Sequence, residues 1–286
     1  MNFFQLIKQV LDDLYADIPG TESEKDALIR DAMAYMRKWY RTMLTPELRS
    51  ADCIDYSDPV VRFAYIYKYT TAHASYVHQC IEQCPDLSQL FEKDRLTASC
   101  IGGGPGSDFL GILKYMIRRS KGTALTCFLY DREVAWGESW GDIGAKLSDT
   151  HFRIFPNFQR MDIAIPAEWQ SLTKYLKSDL VTISYFMSEI IHEVDRCQRF
   201  LEHLFRNAQD GTLFLFLDNN LDDVFGWFDD LAKSNDVFHL YEYEGEMIIS
   251  SDEQKDDLEP YLSKFDYPKL RANIAYRVSR KIELPF

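Results

Sequence analysis

Along the first 95 residues, apolar positions recur every three or four residues; from residue 96 onward they gather into short runs separated by helical spacing. Phe3, Leu6, Ile7, Val10, Leu11 and Leu14 mark one amphipathic helix over residues 2–18, which Pro19-Gly20 ends. Thr21-Glu22-Ser23-Glu24 fits a capping box. It opens a second helix to about residue 44, with Met33, Met36, Trp39, Tyr40 and Met43 inward and Pro46 closing it. A third helix starts at Ser57-Asp58-Pro59, with Ser57 or Asp58 as cap and Pro59 in the first turn. It carries Tyr65, Tyr69, His73 and Tyr76 along one side, and a short piece at 88–92 follows. No stretch here reads as a strand.

The second rhythm predicts strands at 96–101, 125–130, 151–155, 180–185 and 212–217, with helices between them at 108–120, 133–146, 166–176 and 188–208. A helix at 221–232 and two further strands, 237–243 and 273–278, complete the pattern around an acidic, loop-rich insert at 244–271. The last two strands read as a hairpin. The chain therefore divides into a helical extension or lid, 1–95, and an α/β domain, 96–286, with no internal repeat and no low-complexity linker.

The chemistry gathers at Cys100-Ile101-Gly102-Gly103-Gly104-Pro105-Gly106-Ser107-Asp108, between the first strand and its helix. Glycines in such a turn tolerate positive φ and let the main chain approach a nucleotide-like ligand. The spacing is G-x-G-x-G. A dinucleotide fingerprint places glycine or alanine where Ser107 stands, and a pyrophosphate disfavours a carboxylate at the helix start, where Asp108 stands. Two alternatives stay open: a dinucleotide site, and a turn without a ligand in which Asp108 only caps the helix.

This stretch resembles the cofactor loop of class I S-adenosylmethionine (SAM) methyltransferases. The resemblance covers about residues 96–280. It implies a Rossmann-like sheet of seven strands, the last two an antiparallel hairpin, carrying an all-helical N-terminal extension. It also implies SAM as cofactor, held by Gly102, Gly103, Gly104, Pro105 and Gly106, with Asp108 welcome beside a cationic ligand. The acid at the end of the second strand, Asp131, takes the ribose hydroxyls in such proteins; Arg132 adjoins it, Glu133 is the fallback, and helix capping is the plain alternative. Asp162 and Met161, after the third strand, fall where the family meets adenine, unless they form an ordinary surface loop. Ser184 and Tyr185 fall beside the transferred methyl. Trp136 and Trp140 read as core rather than as an adenine shelf. Within class I, the pattern resembles poorly described eukaryotic methyltransferases, some grouped with ribosomal-RNA uridine methylators.

Methyl transfer to nitrogen or oxygen is a displacement that needs alignment, and a base only where the acceptor is protonated. The candidates for catalysis are Tyr185, Glu189 and His73, with His192 on the face of Glu189. Tyr69, His73, Tyr185 and Glu189 are the candidates for the acceptor pocket, under an N-terminal lid. Residues 184–187 read Ser-Tyr-Phe-Met, not the N/D-P-P-Y/F/W of amino-methylating DNA enzymes. No cysteine stands where cytosine-C5 chemistry needs its nucleophile. The expected acceptor is a small molecule or a protein side chain. RNA is the alternative, and a SAM-binding module without turnover is another.

Charge bears on that choice. A net charge of −13 repels phosphate backbones at long range, although Lys114, Arg118, Arg119 and Lys121, and Arg271, Arg277, Arg280 and Lys281, form two basic clusters that read as solvated faces. Six scattered cysteines suggest reduced thiols in the cytoplasm or nucleus. Cys80 and Cys84 lack a second pair to complete a zinc site, so no metal is expected. No apolar run reaches the roughly 18 residues that span a bilayer, and no signal peptide is expected.

Overall fold

The computed structural model describes residues 2–49, 53–119, 123–147 and 154–282. Helices α1 (Phe3–Asp17) and α2 (Glu22–Met43) lead, and the predicted capping box closes on Thr21 and Glu24. Asp58 caps α3 (Pro59–Tyr65), its carboxylate accepting from the Val60 N–H. One π-helical turn, Ile66–Thr70, joins α3 to α4 (Thr71–Gln83), so the expected third helix is one rod with a local widening that resets the direction of its aromatic side chains. A short α5 (Pro85–Leu90) precedes the sheet.

The strands are β1 (Arg95–Ile101), β2 (Ala124–Asp131), β3 (Ile154–Arg160), β4 (Leu180–Ser184), β5 (Leu213–Asn219), β6 (Val237–Ile248) and β7 (Arg271–Lys281). They form one sheet in the order β3-β2-β1-β4-β5-β7-β6. β1 to β5 run parallel, while β7 is antiparallel to both neighbours. This is the expected seven-stranded sheet with its terminal antiparallel hairpin, carrying a helical N-terminal region. The order reverses between β1 and β4, and a parallel sheet opens its ligand crevice outside the carboxyl ends of strands at such a point.

Side chains alternate between two apolar layers. Leu96, Ala98 and Cys100 of β1, with Leu213, Leu215 and Leu217 of β5, join a core that includes α1, α2, α4, α6 (Ser107–Arg119) and α7 (Ala135–Lys146). Ile101, Val181, Ile183, Phe214 and Phe216 face the other layer, closed by α10 (Val194–Asn207) and α11 (Asp222–Ser234). The N-terminal helices thus share the sheet's own core. α1 buries Phe3, Phe4, Ile7, Val10 and Leu11 completely, and each such side chain contributes about 1.5–3 kcal/mol. Glu253, in the loop after β6, accepts from the Phe3 N–H at 2.8 Å and pairs with the buried Lys114.

Several expectations are corrected. β3 runs over Ile154–Arg160 and not 151–155; residues 151–153 lie outside the described part. Pro156 and Asn157 look like breakers, but β3 is an edge strand, where a missing N–H is tolerated. The helix expected at 166–176 is one turn, α8 (Pro166–Trp169), and a separate 3-10 turn, Tyr175–Lys177. There the buried Trp169 and Tyr175 donate to the Ile163 and Trp169 carbonyls. The helix expected at 188–208 is α9 (Met187–Ile190), a 3-10 turn and then α10. The hairpin is longer than expected, which shortens the insert; that insert holds the one-turn α12 (Tyr261–Lys264). Among the described residues of the two basic clusters, Arg118, Arg119 and Arg271 are exposed as expected, and the others are not. Lys114 and Arg277 are buried, Lys114 on Asp252 and Glu253, Arg277 on Asp229 and Glu244. Arg118 pairs with Asp252 and Arg280 with Asp86, while Lys121 lies outside the described residues. No described helix is long and apolar enough to cross a membrane.

Candidate functional site

The chain leaves β1 through Gly102 and Gly104, with φ of +65° and +47°. A Cβ on Gly102 would stand 2.1 Å from the Phe186 ring, so only glycine fits the backbone and the space. The turn is pinned to the neighbouring strand. The Gly103 N–H donates to the Tyr130 carbonyl at 3.0 Å, and the Gly104 N–H to Asp131 Oδ2 at 3.0 Å. Asp131 Oδ1 accepts from the Glu133 N–H at 2.9 Å. Each carboxylate oxygen therefore keeps a lone pair for a ligand hydroxyl. Burial pushes this acid up to about 6, against the pull of those two N–H groups.

The turn and Asp131 open on a cleft whose free interior is about 70 Å³. Of the cofactor candidates, Gly102, Gly104, Asp131, Arg132, Met161, Asp162, Ser184 and Tyr185 line it. Gly103, Pro105 and Gly106 lie buried beneath the turn. Asp108 is buried too, turned toward β4, where it accepts from the Thr182 hydroxyl at 2.5 Å. Burial pushes it up to about 7, so near neutrality it is about half protonated. Trp136, expected in the core, is buried and also forms part of the cleft wall. Trp140 packs its ring edge-on against Phe109. Trp39, Ile54, Tyr56 and Tyr65 from the N-terminal region roof the cleft.

A second chamber, of about 410 Å³, lies beside it. All four acceptor candidates, Tyr69, His73, Tyr185 and Glu189, line this chamber. Tyr185 and Glu189 also line the cleft, so the two spaces meet at these side chains. Tyr185 follows β4 with φ +51°, a strained value for a residue with a Cβ, held by its N–H donating to the Leu217 carbonyl at 2.7 Å. Its ring lies flat on His73, 3.7 Å between centroids and 9° between planes. Burial, helped by the Lys269 charge, holds the His73 imidazole neutral and well below its usual range. It is thereby a poor proton acceptor.

Glu189 differs. Oε1 accepts from Tyr40 at 2.9 Å and Tyr56 at 3.3 Å, both from the N-terminal region. Burial pushes the acid up to about 7, the Tyr40 hydroxyl pulling the other way. A carboxylate poised there can take a proton near neutral pH. His192 does not share its face: the 3-10 turn directs Nε2 to Glu193, 3.3 Å away, and toward Cys53.

Cys53, His192 and Glu193 place one donor atom each within 4.8 Å of one another. Arg132 stands 3.9 Å from Glu193 and Arg196 pairs with it, so guanidinium charge already answers this cluster. Cys80 and Cys84 are buried thiols. Burial pushes Cys197 up to about 12, which makes it a poor nucleophile.

Sequence reasoning missed Tyr40, Tyr56, Lys269 and the pair Asn219-Asn220. The asparagines carried a usable signal, since they stand at the carboxyl end of β5, where the same crevice rule applies. Lys269 carried none; it reaches the chamber from a loop far along the chain.

No family model matches the chain, and no curated protein does. Among solved structures, a proposed RNA methyltransferase from Pyrococcus horikoshii aligns with TM-score 0.46 and 13% identity, over 86% of this chain and 99% of its own. A proposed sarcosine dimethylglycine methyltransferase from Galdieria sulphuraria gives TM-score 0.44 and 8% identity, over 74% and 85%. An arsenic(III) SAM methyltransferase from Chlamydomonas reinhardtii gives 0.41 and 15%, over 66% and 64%. At these scores and identities the likeness carries nothing about the reaction or its acceptor.

Proposed function

We propose that the chain is a SAM-dependent methyltransferase acting by direct displacement on a nitrogen or oxygen of a small molecule or protein side chain. The observation that carries this reading is the meeting of two cavities at Tyr185 and Glu189: one floored by the glycine turn and Asp131, the other fronted by a carboxylate tuned to neutrality.

The lining residues match SAM in chemistry, and a free interior of about 70 Å³, well below the roughly 300 Å³ of a small-molecule site, means that the cleft must open to admit it. Gly102 and Gly104 allow close approach of a ligand to main chain, and Asp131 keeps acceptor positions for a ribose diol. Met161 and Ile163 offer an apolar surface for a base, with Asp162 beside them. SAM, when bound, supplies a methyl group already activated toward displacement. The chain's own work is then to bind, align and exclude water, and Glu189 takes the proton released at the acceptor atom. Tyr40 and Tyr56 hold the Glu189 carboxylate in place. His73 and Tyr185 form a rigid aromatic wall.

The alternative acceptor, RNA, finds little support. Its basic clusters are largely consumed by internal ion pairs, Lys114 and Arg277 inside the protein. Calorimetry with SAM, S-adenosylhomocysteine and NAD tests the reading. SAM and S-adenosylhomocysteine are expected to bind and NAD not. Absence of SAM binding at millimolar concentration would sink the assignment. SAM binding with no labelled-methyl transfer to any cell extract would instead favour a binding module without turnover.

A further inference from the structure

The chamber beside the cleft holds a cation that the reaction above does not use. Lys269 is anchored by its own N–H donating to the Lys68 carbonyl at 2.8 Å. Its ammonium stands 4.3 Å from the centre of the Tyr185 ring and 5.8 Å from that of Tyr69. His73 covers one face of Tyr185, so the ammonium lies on the other. Among the described residues, no carboxylate lies within ion-pair distance of it. Asp218 is the charge it senses, and Asp218 is engaged by the Ser188 and Asn219 N–H groups at 3.0 and 2.7 Å. Burial pulls Lys269 down to about 8, which still leaves it mostly charged at neutral pH. Lys269 is half-buried, its ammonium open to the chamber with ring faces and no carboxylate beside it, and an anion entering the chamber is the partner it lacks.

We propose that the chamber binds a small apolar carboxylic acid, its carboxylate on Lys269 and its nucleophilic O–H or N–H toward Glu189. This rests on the methyltransferase reading. Leu44, Tyr69, Leu221 and Ala272 give the body of such a molecule an apolar lining. Asn273, whose side-chain oxygen accepts from Asn220, also lines the chamber and adds an amide for the carboxylate. A single cation favours a monoanion. A phosphate dianion would face Glu189 with too little opposing charge. A chamber of about 410 Å³ is in the size range of small-molecule sites. The transfer balances as follows: the acceptor O or N forms the bond to methyl carbon, the carbon–sulfur bond breaks with its pair left on sulfur, and the proton passes to Glu189.

The test is calorimetry on protein saturated with S-adenosylhomocysteine, titrated with 4-hydroxybenzoate, indole-3-acetate and 10-hydroxydecanoate, each beside its uncharged primary amide. At least one acid is expected to bind tenfold or more tighter than its amide. Lys269→Met, which keeps the length of the side chain, should erase that preference, and Lys269→Arg should retain part of it. Both variants should bind S-adenosylhomocysteine as the parent does, which reports an intact fold. Equal affinity for acid and amide, binding of no acid, or a preference that survives in Lys269→Met would overturn the proposal. A parent protein that fails to bind S-adenosylhomocysteine would overturn the cofactor reading. The same titrations without cofactor would still show whether Lys269 selects acids.

Discussion

The cleft and the chamber meet at two side chains, yet they are made from different kinds of chain. The floor of the cleft comes from the carboxyl ends of adjacent parallel strands: Gly102 and Gly104 after β1, Asp131 at the end of β2, Met161 and Asp162 after β3, Ser184 at the end of β4. The chamber gathers Tyr40 and Leu44 around the end of α2, Tyr69 and His73 around the π turn, Asn219 on β5, and Lys269 just before β7. In the first case a local rule of the sheet places every group. In the second, Asn219 still comes from a strand end, but Tyr40, Leu44, Tyr69 and His73 are placed by packing of the N-terminal helices and Lys269 by the loop before β7. The cleft should therefore break at backbone positions and the chamber through its charges.

The largest effect is expected at the backbone. Gly102→Ala adds a Cβ 2.1 Å from the Phe186 ring, at a φ that costs a residue with a Cβ about 1–2 kcal/mol. Phe186 must leave the cleft wall, and SAM affinity should fall by more than about 100-fold in calorimetry, about 3 kcal/mol. Gly141→Ala is the contrast. It lies inside α7 with nothing near its would-be Cβ, and should raise thermal stability by about 0.5–1 kcal/mol with SAM binding unchanged. If Gly102→Ala bound SAM normally, the glycine turn would not be the cofactor's floor.

Next comes Glu189→Gln, which keeps an acceptor for Tyr40 and Tyr56 but removes the base. Turnover should fall by about 100-fold or more, with little change in SAM affinity. The pH signs follow from an acid raised to about 7 in the folded chain, above its unfolded value near ~4.3. Parent activity should rise with pH through about 7, and any residual activity of the variant should not. The native state holds its proton to higher pH than the unfolded state, so ionising Glu189 costs stability progressively from about pH 4.3 to 7. Thermal melts should show Glu189→Gln gaining on the parent over that window. A parallel pH dependence in both proteins would remove Glu189 from the proton's path.

Asp131→Ala should weaken SAM binding by about 1–3 kcal/mol, the scale of a lost charge-assisted hydrogen-bonding group. Because Asp131 also holds the Gly104 and Glu133 N–H groups, Asp131→Asn separates anchoring from charge. Unchanged affinity in both variants would reject the ribose assignment.

What could be read in advance follows the same division. β1, β2, β4 and β5 are apolar runs ended by turn signals, and G-x-G-x-G is visible without any tertiary knowledge. β3 was misplaced because Pro156 and Asn157 suit an edge strand, and edge position is not written in local sequence. The presence of Asp108 in the loop was legible, but its direction was not; Thr182 on β4, 74 positions away, decides it. Tyr69 and His73 were reached through helical spacing, whereas their contact with Tyr185 and Lys269 depends on a loop some 200 positions later. Lys114 and Arg277 looked like surface charge because their partners, Glu253 and Asp229, stand 139 and 48 positions away.

The smallest expected effect tests the join between the two regions. Tyr40 on α2 donates to Glu189 Oε1 at 2.9 Å and lies 2.9 Å from the Tyr56 hydroxyl. Tyr40→Phe removes a donor that favours the charged form of Glu189, while Tyr56 remains at 3.3 Å. The acid should therefore hold its proton to still higher pH, and the midpoint of the activity profile should move upward. The net loss should be about 0.5–1.5 kcal/mol, a fall in rate at pH 7 of roughly 2- to 7-fold that closes again as pH rises above both midpoints. A tyrosine that merely packed the roof would lower the rate by the same factor at every pH. A midpoint that moves, and rates that converge in alkali, would mean that the N-terminal helix sets the proton affinity of the base at the junction with the cofactor cleft.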